Sequence, residues 1–369
     1  MNHTKPQDGR NRAGRALRVS VSALALAGLG TLPAKATETI DLSIVSGFAP
    51  SVAAVKLLQE SFMPNVADTL AETGNYQINW QEAFSGTLAQ PGGELEAIQT
   101  GLADVGVIVT GFHADRLPLY QIGYATPFVT TDLVLVHEVV DALVEEFPAF
   151  NETWDRFNQV TLSASGIPDN YVVCSVDPIE TKADLDGMRI AGIGPNLRWV
   201  EPIGAVGVTG SLADFYNMAD TGVVDAMLVW GESAVSMNYY EVCPYYWDAG
   251  LGGANTYTIN VNQGVWERLP EEVQDAMTSA AKQYGVDMGV YAAELGQEAV
   301  ATFEESGGQV SAIDEDERLE WAMTLPNLAV EWADRIEDQG MPGHEILSAY
   351  MQAMRDADQP IARQWDQED

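Results

Sequence analysis

Residues 270–308 constrain this chain more than any other stretch. Pro270 stands before Glu271 and Glu272, a proline suited to the first turn of a helix and acids suited to its positive end. Apolar residues then fall at Val273, Met277, Ala280, Ala281, Tyr284, Met288, Tyr291, Leu295, Ala299 and Phe303, in steps mostly of three and four. That spacing buries one helix face from end to end. Ser306-Gly307-Gly308 supplies the stop. At 1.5 Å per residue the helix is about 50 Å long, more than one small domain spans. It must lie across two bodies, and Gly285, Gly289 and Gly296 are expected to let it bend.

The remaining pattern says what those bodies are. Residues 38–45, 76–82 and 103–110 read as strands and 51–73 and 93–102 as helices. A β-α-β-α-β order implies a mainly parallel sheet covered by helices, so the fold class is α/β. Ligands on such sheets sit beyond the carboxyl ends of the strands. That rule points to Ser46-Gly47-Phe48, to residues 82–86, which include Glu82 and Phe84, and to Thr110-Gly111-Phe112. Residues 133–147 read as an amphipathic helix, and 160–165 and 172–176 as strands around a turn at 166–170. Residues 188–193 form a short strand after the polar turn Asp184 to Gly187, and Gly194-Pro195-Asn196 opens a helix. Residues 223–230 form an apolar run broken by Asp225, 256–261 a returning strand, and 315–367 a helical tail. The expected organisation is two lobes: 37–165 with 254–290, and 166–253 with 291–369 and the C-terminal helices.

The first 36 residues read as a secretory signal. Lys5, Arg10, Arg12, Arg15 and Arg18 precede an apolar run from Val19 to Leu32, and Ala34-Lys35-Ala36 has the small-x-small cleavage pattern. The run is too short to span a bilayer, so export to the periplasm without a lipid anchor or stable membrane insertion is expected. The whole chain carries 18 basic and 54 acidic residues. Removing the segment leaves 12 against 53, a net charge of −41. Nucleic acid and anionic membranes are excluded as partners, because both need a basic face. The acids are spread along the chain, as in proteins adapted to a salty exterior, where repulsion is screened within about 3 Å at molar salt. A field that draws in cations is the sharper alternative. Cys174 and Cys243 would meet an oxidising compartment, so a disulfide between them is open, two buried thiols being the alternative. His113, His137 and His344 are too separated to suggest a metal site and read as surface or capping residues. There is no phosphate loop and no Gly-x-Ser-x-Gly elbow. Neither an enzyme nor a bound cofactor or metal is expected.

Several segments carry a family likeness. They are Lys182-Ala183-Asp184-Leu185-Asp186-Gly187-Met188-Arg189-Ile190, Gly222-Val223-Val224-Asp225-Ala226 and Tyr240-Glu241-Val242. To these add Phe84-Ser85-Gly86-Thr87-Leu88 followed by Glu94-Leu95-Glu96-Ala97, Pro127-Phe128, and Trp266 with Leu269-Pro270-Glu271-Glu272-Val273. In this order and spacing the chain resembles the extracytoplasmic solute receptors of TRAP (tripartite ATP-independent periplasmic) transporters. The resemblance covers nearly the whole chain after the signal. It implies a two-lobe periplasmic-binding-protein-like fold with one long helix across both lobes. It implies capture of a small molecule by hinge closure and delivery to the membrane subunits of a permease, with no ATP or covalent chemistry.

Two departures bear on the ligand. Most members of that family place, directly after the basic-Ile pair, an Arg that holds a ligand carboxylate; here the position is Ala191. Gln-Glu-Asn often follows the Asp of the next motif; here it is Met227-Leu228-Val229, then Trp230-Gly231-Glu232. Arg189, two residues earlier on the same strand face, or Arg198 on the next helix would be the substitute anchors for an organic acid. The expected cleft is instead aromatic and acidic: Phe48, Glu82, Phe84, Asp169, Asn170, Tyr171, Trp230 and Glu232. Aromatic faces with a carboxylate suit an ammonium group, at ~0.5–2 kcal/mol per cation–π contact. The ligand expected on that basis is a small amine or amino alcohol such as ethanolamine, with Glu232 or Glu82 on the nitrogen and Asp169 or Asn170 on a hydroxyl. A secreted structural protein that keeps the fold without a ligand is the alternative of another class.

Overall fold

A computed structural model describes residues 36–166, 169–254 and 256–368, with Ser165 and Gly166 as backbone only. The segment read as a secretory signal lies outside the described residues apart from Ala36. Two sheets organise the chain from Thr37 onward. The first has the order β2-β1-β3-β10-β4, from Tyr76–Ala83, Glu38–Val45, Val105–Val109, Tyr257–Asn262 and Gln159–Gly166. Its first three strands are parallel, and β10 runs antiparallel to both β3 and β4. The second has the order β11-β9-β5-β8-β6-β7, from Gln309–Ala312, Tyr245–Asp248, Tyr171–Ser175, Ala226–Trp230, Arg189–Gly192 and Val206–Thr209. The chain passes to the second sheet between β4 and β5, returns between β9 and β10, and leaves again along a helix.

Strand composition follows position. Every residue of β3, β5, β8 and β10 is buried, as the apolar runs require of strands covered on both faces. β2 is an edge strand and has no fully buried residue. Its polar side chains pair across to β1 in register, Gln77 donating to Thr39 Oγ1 at 2.7 Å and Asn79 to Asp41 Oδ1 at 2.6 Å.

The helix that crosses the lobes runs unbroken over Glu271–Glu305. Val273, Met277, Ala280, Ala281, Tyr284 and Met288 join the first-lobe core with Val55, Leu58 and Phe62. Ala299 and Phe303 join a second-lobe core with Phe215, Met227 and Tyr239. One apolar stripe therefore serves two cores. Its glycines admit close neighbours. A methyl group on Gly285 would overlap the His137 ring, one on Gly289 would crowd Val134 at 3.1 Å, and one on Gly296 would lie 3.2 Å from Asp169 Oδ1. The first-lobe helix facing it spans Ala53–Leu57 and Met63–Ala71 with a π-helical turn over Leu58–Phe62 between them.

Helices Glu315–Thr324, Leu328–Glu337 and Gly343–Asp356 complete the chain. The tryptophans of the first two, and Trp365 beyond the last, are buried, and each indole N–H is satisfied by a distant carbonyl. Trp321 donates to Trp199 O, Trp332 to Pro118 O and Trp365 to Pro127 O, at 2.8–2.9 Å. The turn at Pro127-Phe128 holds Phe128 at φ 63°, and its carbonyl accepts from Ala362 N and Arg318 Nη1. Among the described residues no helix is long and apolar enough to cross a membrane.

Candidate ligand-binding cleft

The second-lobe face of the cleft is assembled by one strand pair. β5 and β8 are antiparallel with Tyr171 opposite Trp230. This places the residues just before β5 beside those just after β8. The Asp169 carboxylate accepts from the backbone N–H of Glu232 at 2.7 Å and of Asn170 at 2.6 Å. It thereby ties the entry of β5 to the first turn of the helix Gly231–Ser236. The fit requires Gly231, because a Cβ there would lie 2.7 Å from Tyr246 Oη and 2.8 Å from Asp169 Oδ2. Burial pushes the Asp169 carboxyl up to about 7, against those two N–H groups, with the charges of Glu232 and Asp248 adding to the rise. Glu232 is half-buried, and burial raises its carboxyl too, opposed by the Ser236 and Ser233 hydroxyls.

Aromatic rings pack together in the core beside this strand pair. Tyr171 meets Trp199 edge-on with centroids 5.2 Å apart, Trp230 at 5.6 Å and Tyr124 at 6.1 Å. The Tyr124 and Tyr171 hydroxyls are 2.9 Å apart, and Trp199 Nε1 donates to Tyr124 O. Burial drives the Tyr257 phenol far above its usual range, with Glu232, Tyr124 and Glu94 as the neighbouring charges and dipoles.

The first-lobe face differs from expectation. Phe48 is half-buried and its carbonyl accepts from Ser85 N. Phe84 lies in the first-lobe core with Leu42 and Ile44 and offers no face to a ligand. Glu82 is exposed on the edge strand and accepts from Gln59 Nε2 at 2.5 Å, outside the aromatic cluster. The carboxylate that matters on this side is Glu94, which sequence reasoning passed over. It is buried, and it accepts from Gly47 N and Gly92 N, both at 2.7 Å, bracing two cleft loops. Burial raises its carboxyl against those two donors. The Pro91-Gly92-Gly93 turn just before it was the available signal, since tight glycine loops need an acceptor for their free N–H groups.

The proposed anchors separate. Arg189 grips Asp225 with Nε and Nη2 at 2.9 and 2.5 Å and gives Nη1 to Gly222 O. Its charge is engaged in a half-exposed pair. Arg198 pairs with Glu331 and also lines a cavity between the lobes. Ala191 is fully buried in the second-lobe core beside Cys174 and Met227. Asn170 gives its amide N–H to Thr131 O, which leaves its buried Oδ1 without a partner in the chain. Cys174 and Cys243 are free thiols, so the disulfide is not formed. Burial pushes both up, Cys243 to about 12. Two histidines expected at the surface are inside: His113 and His137 are buried, while His344 pairs with Asp334.

Two cavities between the lobes share Ala114 and Pro195. The larger, about 420 Å3, opens beyond the carboxyl ends of β3 and β6, where the sheet rule places ligands. Phe112, His113 and Ile193 line it. Burial lowers the His113 imidazole, and its Nε2 has no partner in the chain. Among the described residues no cluster of His, Cys, Asp and Glu has metal-binding geometry.

Residues 51–335 match the model of DctP, the bacterial extracellular solute-binding protein family 7. The chain belongs to that family. It is an extracytoplasmic solute receptor of TRAP transporters, a class of substrate-binding receptors that work with a membrane permease. Its fold is that of solved receptors. A TRAP periplasmic solute-binding protein from Desulfovibrio salexigens superimposes with a TM-score of 0.75 at 18% identity, covering 86% of this chain and 96% of that one. A TRAP protein from Rhodoferax ferrireducens, solved with copurified benzoate, gives 0.74 at 17% identity over 86% and 98%. A Bordetella pertussis receptor that binds pyroglutamic acid gives 0.71 at 20% identity over 84% and 99%.

Proposed function

We propose that this receptor captures a small amine or amino alcohol of ethanolamine size. The observation that carries the reading is the Glu232 carboxylate, half-buried at the first turn of the cleft helix with Tyr257 beside it. An ammonium group would replace the lost solvation of that carboxylate. The family's usual carboxylate clamp is absent, since Ala191 is buried and Arg189 is held by Asp225. Asn170 Oδ1, lacking a donor in the chain, suits a ligand hydroxyl. Export by the N-terminal signal places the receptor in the periplasm. Ligand bridges the lobes, water leaves, and the closed form is what the permease subunits recognise.

An organic acid is the second reading, favoured by the acids bound to the Bordetella and Rhodoferax receptors. Arg189 and Arg198 would be its anchors, each released from a half-exposed ion pair, with Asp225 and with Glu331. Calorimetry with a panel of amines and carboxylates separates the two. The amine reading expects saturable ethanolamine binding that Glu232→Gln weakens roughly 10–100-fold. Tight carboxylate binding with no response to any amine would end it. Ligand should also change the tryptophan fluorescence, and scattering that shows identical compactness with and without ligand would count against closure.

A further inference from the structure

Asp169 and Glu232 put two carboxylates in one place. Asp169 is 3% exposed, and its Oδ2 accepts the N–H of Glu232 itself at 2.7 Å. Glu232 is half-buried. Among the described residues no ion pair reaches either of them: each Lys–carboxylate and Arg–carboxylate bridge is made to another acid. Buried charges are ordinarily paired, because the interior cannot solvate them.

The surroundings do not relieve the pair. From β9, Asp248 and the Tyr246 phenol lie near Asp169. From the spanning helix, Gly296 faces it, with a Cβ position 3.2 Å from Asp169 Oδ1, and Glu294 and Glu298 flank that glycine in the chain. Asn170 contributes an N–H and no charge. On the Glu232 side stand the Ser233 and Ser236 hydroxyls, Tyr257 and Tyr291. Lys56 lies over the Tyr291 ring at 5.3 Å, but it is paired with Glu60 at 2.8 Å. Two carboxylates so placed resist ionising together, and their titration belongs to the pair. Burial raises both carboxyls, that of Asp169 to about 7.

We propose that Asp169 and Glu232 form a proton-linked capture site: the empty receptor keeps one proton on the pair, and a bound ammonium group displaces it. The inference rests on the amine reading of Glu232 and adds its regulation. The exchange balances, since the proton passes from the Asp169 carboxyl to solvent and no bond of the ligand is made or broken. An alkylammonium stays charged throughout this range, so the pH dependence belongs to the receptor. Binding that releases a proton strengthens as pH rises, by up to about tenfold per unit. The rise ends near the value of the empty pair, about 7. Capture therefore weakens where the surroundings turn acidic.

The test is calorimetry of ethanolamine binding to the purified receptor, in buffers of different ionisation enthalpy. Affinity should rise about tenfold from about pH 5.5 to 7, with release of up to about one proton per ligand. Asp169→Asn should flatten that profile and abolish the release. Glu232→Gln, which leaves the Asp169 brace in place, should move the rise to more acidic pH, and it serves if Asp169→Asn does not fold. Without ligand, the infrared spectrum near pH 6 should contain a protonated-carboxyl band that Asp169→Asn lacks and that ethanolamine removes from the parent. Ethanolamine binding with a flat profile and no proton release would overturn the proton link and leave the amine reading standing. An Asp169→Asn or Glu232→Gln receptor that keeps the parent's profile and proton count would overturn it equally. Failure of small amines to bind at any pH would overturn both.

Discussion

The two faces of the cleft are built in different ways. On the second lobe, five expected site residues, Asp169, Asn170, Tyr171, Trp230 and Glu232, arrive as one unit. The antiparallel register sets Tyr171 opposite Trp230 and so brings the residues before β5 beside those after β8. On the first lobe, Phe48, Glu82 and Phe84 scatter to a cleft loop, an edge strand and the core. Local strand pairing converts sequence separation into position; the end of an edge strand does not. Where a face lacks such pairing, a buried brace must replace it, and Glu94 is that brace.

The sharpest way to break this contrast is at Asp169. Asp169→Ala orphans the N–H groups of Glu232 and Asn170 in a site where Gly231 and Gly296 have made room for a carboxylate. A loss of about 2–4 kcal/mol is expected in urea unfolding. Glu82→Ala on the exposed strand should stay within about 0.5 kcal/mol. Equal losses would show that the two faces are not differently built.

Next comes ligand affinity. Glu232→Gln should cost roughly 10–100-fold for ethanolamine, about 1.4–2.7 kcal/mol, and Glu82→Gln nothing measurable. If Glu82→Gln is the damaging change, the cleft lies elsewhere.

The pH dependence sharpens the comparison further. The Asp169 carboxyl is raised to about 7 in the folded state, from the ordinary value of 3.8 unfolded. The folded chain then binds more protons than the unfolded one between those values. Stability contributed by this group is fully present below about pH 4 and is lost as pH rises through about 7, by up to about 1.4 kcal/mol per unit. Asp169→Asn should remove that part of the slope in melts taken between pH 5 and 7.5. Glu94 and Glu232, raised in the same direction, keep the remainder. An unchanged slope in Asp169→Asn would assign the effect to other groups.

The smallest effect belongs to Arg189. Its pair with Asp225 is half-exposed, so Arg189→Ala should cost about 1 kcal/mol or less and leave ligand affinity unchanged. A collapse of binding would return it to the cleft.

Much of this was readable in advance, for identifiable reasons. The helix Glu271–Glu305 announced itself because a 3.6-residue period sustained over ten turns admits no other structure. The second-lobe candidates lie side by side because they flank apolar runs that had to be strands and that pair with Tyr171 opposite Trp230. The errors share a cause. Phe84 and Glu82 are two residues apart, and the pleat alone cannot say whether a strand end faces a core, a cleft or solvent. The glycines of the long helix looked like hinges, whereas the His137 ring, Val134 and the Asp169 carboxylate fill their places from segments over 100 residues away.

What the sequence determined by itself was periodic and local: element types, a two-lobe α/β plan, and a charge that bars polyanionic partners. What the tertiary structure decided was pairing between distant residues. It gave Arg189 to Asp225, left two thiols unbridged, buried Glu94 beneath two glycine N–H groups, and gathered Arg198 and Arg335 in one cavity. Periodicity follows from backbone geometry and is written along the chain. A charge's partner depends on which surfaces meet, and only the folded arrangement of helices and sheets determines that.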